Sequence, residues 1–411
     1  MPASAKLVAR AMVGSPIARP FGGCLFVAGM LALLGFAFLG HLALWILEPV
    51  TRVGIFLTGV LIGTVASLPL LALLRWLDRR ERESLWLAIG AVVWGAVIST
   101  GLSAIFNALG FGFISVSLEI VGGVDSELIG QLLAATLVAP PVEEAFKGLA
   151  ILVLFWFLRA EFDNVRDGII YGALVGIGFN IAEYALYVMQ GYAESGVAPF
   201  AEQFAGRFVF LGFNGHMLWS AICGAGVGFA RQSTGGGCTT LGAPVAGYLA
   251  ATFGHALNNS VGVFLLGVIL VVMGYDVEGG LMSVSPFALW TAAAIMNVLV
   301  QGVFYVALLV LLALTSRWER EVIRTYLADE VGVSVTPEEY SAIVNDRMFG
   351  ALGSRGTPWQ LALAQNELAF RKWHVAREGG NPATDPLVAA WRQDIATLRE
   401  EWLRSRQVSQ A

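Results

Sequence analysis

Long apolar stretches, each ended by a short polar or basic segment, fill the first three quarters of the chain. A helix of about 20 mostly apolar residues is long enough to cross a bilayer. Eight stretches meet that length, at about 21–47, 53–74, 85–106, 128–158, 168–190, 208–230, 242–273 and 286–314. Helices are the expected form, because hydrocarbon offers backbone groups no partner outside their own segment. The first stretch is nearly twice the about 7–15 apolar residues of a signal peptide and reads as a span. Pro140-Pro141 removes backbone donors inside the fourth, predicting a kink or a two-piece, re-entrant element. The Gly-rich region 107–127 is semi-apolar and leaves room for a short extra helix at the surface.

The pattern changes near residue 316. Residues 316–411 hold 12 of the 25 Lys/Arg and 13 of the 30 Asp/Glu, in less than a quarter of the length. Trp359, Trp373, Trp391 and Trp402 interleave with Leu and Ala between breaks at Gly350–Gly356 and Gly379-Gly380-Asn381-Pro382. This predicts several amphipathic helices packed into a small domain, serving as a folding cap or as a docking module for an unknown partner. The predicted fold class is all-α. It comprises a short arm (1–20), a polytopic membrane bundle of about eight spans (21–315) and a helical C-terminal domain (316–411).

Composition sharpens this reading. The chain is 57% hydrophobic and 13% charged, against roughly 25% charged for a soluble domain. Its net charge of −5 comes with no basic stripe, so nucleic acid is not an expected partner. Cys24, Cys223 and Cys238 lack CxxC or metal-ligand spacing, and no disulfide is expected. Loop cations alternate: Lys6, Arg10, Arg19, Arg75, Arg79, Arg80, Arg82, Arg159, Arg166 and Arg231 fall on one side, and only Arg52 and Arg207 on the other. By the positive-inside rule the N-terminus is cytoplasmic, and an even span count puts the C-terminal domain there too.

Candidate chemistry comes from six ionisable side chains inside otherwise uncharged stretches: Glu143, Glu144, Lys147, Glu183, His216 and His255. A charge in hydrocarbon costs about 2.5–3.5 kcal/mol on insertion scales, so such residues persist where they pair, line water or do chemistry. At ~1.5 Å per residue, Glu143, Glu183, His216 and His255 all lie roughly 20–24 Å from the cytoplasmic boundary. Four residues on four helices thus share one level. Glu143, Glu144 and Lys147 occupy a ~100° arc of one helix, with Lys147 one turn from both carboxylates. Gly168, Gly172, Gly176, Phe179 and Glu183 fall within ~80° of one another. Glycines four apart permit close helix approach, which directs Glu183 into a protein seam. His216 shares its face with small residues, and His255 with Asn258 and Asn259. His41 and His374 lie apart from this layer.

Pro141-Val142-Glu143-Glu144-Ala145-Phe146-Lys147 matches the EExxK signature of the PrsW family of intramembrane proteases. Asp167-Gly168, Tyr171-Gly172, Gly176, Gly178, Phe179 and Glu183 resemble that family's second motif, His216 its third, and His255 with Asn259 its HxxxN-type fourth. PrsW proteins are similar in turn to the broader CAAX prenyl endopeptidase and bacteriocin-immunity superfamily. The resemblance covers about residues 128–262. It implies a peptide-bond hydrolase acting on a membrane-anchored protein in the bacterial inner membrane; some members make the first cut in a membrane-anchored anti-sigma factor.

The expected mechanism is hydrolysis by an activated water. Glu143 or Glu144 acts as general base, His216 and His255 orient the water or bind a metal, and Asn259 stabilises the oxyanion. Lys147 and Phe179 support the site. His216, His255 and Glu183 could supply a His₂Glu set for Zn²⁺ with an open water position; no HExxH is present, and a metal-free mechanism stays open. Buried Glu, Lys and His also build proton-coupled transporters, but no internal repeat occurs and the polar residues form one layer. A catalytically silent membrane scaffold is the third reading.

Overall fold

Helix follows helix throughout the computed structural model, which describes residues 15, 17, 20–45, 50–121, 126–158, 161–234, 236–277, 280–345 and 357–410. The N-terminal arm with Lys6, Arg10 and Arg19, together with Arg159 and the 350–356 break, lies outside the described residues. Two compact units are present: one built from the chain up to Ala72 and from Ser84 to Leu311, the other from Leu73–Glu83 and Leu312–Ala411.

The first unit begins with α1 (Pro20–Trp45) and α2 (Val50–Leu77). α3 (Leu85–Val93) runs through a π turn (Trp94–Ser99) into α4 (Thr100–Val121). The region from residue 107 to Val121 is therefore the second half of a long helix, not a short separate helix at the surface. Its glycines do not interrupt it; Gly110 serves instead as a gap into which the Val138 side chain fits. α5 (Ser126–Leu133), a second π turn (Ala134–Val138) and α6 (Ala139–Phe157) come next. Pro140 and Pro141 sit in the first turn of α6, where missing backbone donors cost least. The chain accommodates them with a π turn and stays helical.

α7 (Val165–Ser195) starts at a capping box between Asn164 and Asp167 and ends at Gly196, whose φ of 75° is left-handed. The short α8 (Phe200–Arg207) and a 3₁₀ turn (Val209–Gly212) lead to α9 (His216–Gln232). α10 (Gly237–Leu257), a third π turn (Asn258–Gly262) and α11 (Val263–Val272) form the next continuous rod, succeeded by α12 (Pro286–Leu327).

Six of these helices are long and apolar enough to cross a membrane, and a seventh if the α8–α9 pair, bent by 65°, is one span. The chain is a multi-pass, all-helical membrane protein. The 128–158 stretch is helical but falls outside that group, since Glu143, Glu144 and Lys147 lower its apolarity.

α7 is the buried centre, enclosed along nearly its whole length. Its glycines explain how. A methyl group on Gly168, Gly172 or Gly176 would overlap the backbone carbonyls of Gly224, Ser220 and His216 on α9. On another face, a methyl on Gly178 would strike the carbonyl of Val92, and one on Gly95 the carbonyl of Val175. Backbones in such direct contact are the mark of small-residue helix packing.

The second unit contains the end of α12, α13 (Pro337–Val344), α14 (Thr357–Arg377) and α15 (Pro386–Gln410). Its core comprises Leu327, Ile343, Leu361, Leu368, Phe370, Val388 and Ile395, with Trp318, Trp359, Trp373, Trp391 and Trp402 packed around it. Asp385 caps α15 by accepting from the Leu387 and Val388 amides at 3.0 Å and holds Arg371 through two hydrogen bonds.

Gly172→Val should cost ~2–4 kcal/mol through overlap with Ser220, read as a lower unfolding temperature in detergent. Gly29→Ala, with no neighbour within 4 Å, should leave that temperature unchanged or slightly raised. In the second unit, the Arg371 hydrogen bonds and the backbone amides of Val388 and Leu387 hold Asp385 below its unfolded value of 3.8, against the opposing effect of burial. A depressed carboxylate stabilises fully above its unfolded value and loses that contribution as pH falls through the folded one. Amide-exchange protection at the start of α15 should therefore persist at neutral pH and decline below pH 3.8, while Asp385→Ala should lower it at neutral pH by about 1 kcal/mol.

Candidate active site

The first turns of α6 present Glu143, Glu144 and Lys147 toward α7, α9 and α10. Glu144 and Lys147 are both 0% exposed. Lys147 Nζ donates to Glu144 Oε1 at 2.6 Å and lies 2.9 Å from His216 Nδ1. The same ammonium stands 4.3 Å above the centre of the Phe179 ring. Glu144 Oε1 also meets His255 Nδ1 at 3.0 Å, and its Oε2 accepts from Ser220 Oγ at 3.4 Å. Glu144 is thus held at both oxygens.

Glu183 reaches the cluster from α7. Its Oε2 is 2.5 Å from His216 Nε2 and 2.6 Å from Arg207 Nη1. His216 is the first residue of α9, so its ring projects where the bent chain enters the helix. His255 comes from α10 and stacks on Trp219, with centroids 4.2 Å apart and planes at 12°. Trp219 Nε1 donates to Gln301 Oε1 at 3.1 Å, and Gln301 Nε2 to the Gly254 carbonyl at 2.9 Å. The imidazole plane is thereby fixed from beneath.

Glu143 differs from its neighbour. Its Oε1 accepts from Asn107 Nδ2 of α4 at 3.1 Å. Its Oε2 is buried without a hydrogen-bond partner, 3.9 Å from both Lys147 Nζ and His255 Nε2. One carboxylate oxygen is left open toward an imidazole nitrogen.

All six ionisable residues singled out in the sequence lie in this single cluster. Asn259 bonds elsewhere: its amide donates to the Ala135 carbonyl of the second π turn at 2.9 Å. Donor atoms of Glu143, His216 and His255 lie within 4.8 Å of one another. The carboxylate grouped with the two imidazoles is Glu143; Glu183, which the sequence offered for that set, meets His216 Nε2 and Arg207 through its Oε2. Two imidazoles and a carboxylate suit a divalent cation such as a catalytic metal. The fit is supported by the unpaired Glu143 Oε2 and by Glu144 on His255 Nδ1, since ligating imidazoles commonly carry a carboxylate on their other nitrogen. Among the described residues, the three carboxylates face two full cations, Lys147 and Arg207, a balance that also favours a bound cation.

Sequence reading passed over Arg207, Asn107, Trp219 and Gln301. Signals existed for three of them. Arg207 is one of two cations on the side of the loops otherwise free of them, Asn107 follows Ser99 and Ser103 at four-residue spacing, and Gln301 follows Asn297 by four in an apolar helix.

Comparison with known proteins converges on the same helices. Protease PrsW of Geobacillus kaustophilus (strain HTA426) is 34% identical over 109 residues, 24% of this chain and 44% of that relative, so the chain spans less than half the relative's length. No solved structure matches. The family model of the PrsW family intramembrane metalloprotease matches residues 83–315, from α3 through most of α12, and takes in every residue of the buried cluster. With more than half its length inside that match, this chain belongs to the PrsW family of intramembrane metalloproteases.

Proposed function

We propose that the chain hydrolyses a peptide bond of a membrane-anchored protein within the bilayer, using a water activated by Glu143. The observation that carries this is the buried Glu143 Oε2, left without a hydrogen-bond partner 3.9 Å from His255 Nε2, a polar atom that a reacting water would satisfy. Glu143 accepts the proton of that water and returns it to the leaving amide nitrogen. Glu144 keeps His255 oriented through Nδ1, and Lys147 balances Glu144 so that Glu143 keeps its own oxygen free. Arg207 and Glu183 fix His216 through Nε2. Asn259 can reach an oxyanion once its bond to Ala135 opens. A divalent cation, Zn²⁺ being our assignment, would be held by His216 and His255 with Glu143 beside them, and when bound would supply Lewis acidity to the water and the scissile carbonyl; Glu143 would then serve as a ligand wherever it does not take the proton.

The surrounding assignments are of the same kind. Adding the charged 126–157 helix to the six apolar helices and the bent pair makes eight crossings. The Arg-rich loops then put both termini in the cytoplasm of a bacterial inner-membrane protein. The 316–411 domain would dock a cytoplasmic partner, and regulated cleavage of an anti-sigma-factor-type protein is the biological role we assign.

In proteoliposomes with a tagged single-span reporter, Glu143→Gln and His255→Ala should each lower cleavage at least ~10²-fold. Wild-type cleavage by both variants would reject hydrolysis at this site. Elemental analysis should find a divalent metal in the purified wild type and little in His216→Ala. The ion pairing gives a separate outcome: Lys147→Met should destabilise by ~3–5 kcal/mol because it strands Glu144, and combining it with Glu144→Gln should restore part of that loss.

A further inference from the structure

Among the described residues, Glu143 Oε2 is the carboxylate oxygen of the cluster that is buried without a hydrogen-bond partner, and Asn107, outside the motifs quoted above, bonds the other oxygen of the same group. Glu144 is clamped by Lys147, His255 and Ser220. Glu183 is clamped by Arg207 and His216. Glu143 receives one hydrogen bond, from Asn107 Nδ2 to Oε1 at 3.1 Å. Lys147 is too distant, at 3.9 Å, to hydrogen-bond it. Without Asn107, rotation about the last side-chain bond of Glu143 would have nothing to oppose it, and either oxygen could turn toward Lys147.

We propose that Asn107 is the positioning residue of Glu143, setting which carboxylate oxygen is presented to His255 and to the reacting water. This rests on the hydrolytic reading above. Three features support it. First, the Asn107 amide is oriented by Glu143 alone: its own Oδ1 is shielded from solvent and has no partner. A buried acceptor left unmet costs about 1–3 kcal/mol, so an amide kept merely for stability would pair at both ends. Second, the helix that carries it is seated firmly. Ser99 Oγ and Trp94 Nε1 donate to the Phe146 carbonyl at 3.1 and 3.2 Å, one helical turn from Glu143. The Phe106 ring meets Phe146 at 5.3 Å, and Gly110 receives the Val138 side chain. Third, Ser103 precedes Asn107 by one turn, and its Oγ is also buried and unpaired. Two positions one turn apart on an apolar helix thus carry buried polar atoms, and that of Asn107 reaches Glu143.

The test uses the full chain. Leucine fills the volume of asparagine and suits an apolar helix but donates nothing, whereas glutamine keeps the donor. The infrared difference between wild type and Glu143→Gln isolates the Glu143 carboxyl band. That band should shift in Asn107→Leu and move back toward its wild-type position in Asn107→Gln, with unfolding temperatures unchanged. With the tagged reporter in proteoliposomes, Asn107→Leu should lower kcat ~10–100-fold, the usual effect of losing a residue that orients a reacting one, while KM stays within a few-fold. An unshifted band, or wild-type kcat in Asn107→Leu beside an inactive Glu143→Gln, overturns the assignment of Asn107 and leaves hydrolysis standing. Wild-type cleavage by Glu143→Gln overturns hydrolysis itself. A fall in kcat matched by a fall in unfolding temperature, with no recovery in Asn107→Gln, would make Asn107 a packing residue and also overturn the proposal.

Discussion

The direct contact of the α7 and α9 backbones is the constraint on which the rest of the site depends. Helices that carry ordinary side chains pack with axes 8–10 Å apart. Here Gly168, Gly172 and Gly176 meet the carbonyls of Gly224, Ser220 and His216 with no room for a Cβ. Only at that closeness can the short reach of Glu183 end on the ring of His216. The third of these contacts is made by the carbonyl of His216 itself, so the residue that bears the imidazole also helps define the seam. Any side chain added there moves the two helices apart and breaks the pair in one step.

Once the helices are close, electrostatics decides which groups stay available. Buried ions are tolerated when paired, and the loss of one partner is costly. Lys147 is committed to Glu144 and Arg207 to Glu183, while His216 bridges the two pairs and His255 meets Glu144. Glu143 Oε2 stays buried and unpaired because the nearby cations are committed to the other two carboxylates. The π turns serve the same end. Each inserts a residue into its helix and re-aims the turns beyond it. One precedes the prolines that begin α6, another comes just after His255, and the Asn259 amide ties the two together through the Ala135 carbonyl.

Helical periodicity alone placed Glu143, Glu144 and Lys147 on one arc and the α7 glycines on one face, because these relations are local. A common depth brought together residues on four different helices for the same reason: rise per residue is a constant of the helix. What was hidden lies in pairings across distant segments. Asn107 meets a residue 36 positions away and Arg207 one 24 positions away, and no periodicity links them. Arg207 was counted as a loop charge because charge rules see position and not partners. Glu183 looked like the natural third ligand beside two histidines, and sequence alone could not show that Arg207 and His216 share its Oε2. The continuation of α4 past residue 106 was obscured by glycines that, inside a membrane helix, create room for a neighbour rather than a break.

The boundary at residue 316 shows a different limit. A change in composition marks where a soluble pattern begins, but it cannot see a segment that returns from elsewhere in the chain. Leu73–Glu83 belongs to the C-terminal unit. Within it Arg80 and Glu319, both almost fully buried, meet at 2.8 Å, and Asn366 donates to the Arg80 carbonyl at 2.8 Å. Breaking a buried pair of this kind costs several kcal/mol because the survivor is left uncompensated. Arg80, which the sequence counts only among loop cations, is thus also half of an ion pair in a folded unit.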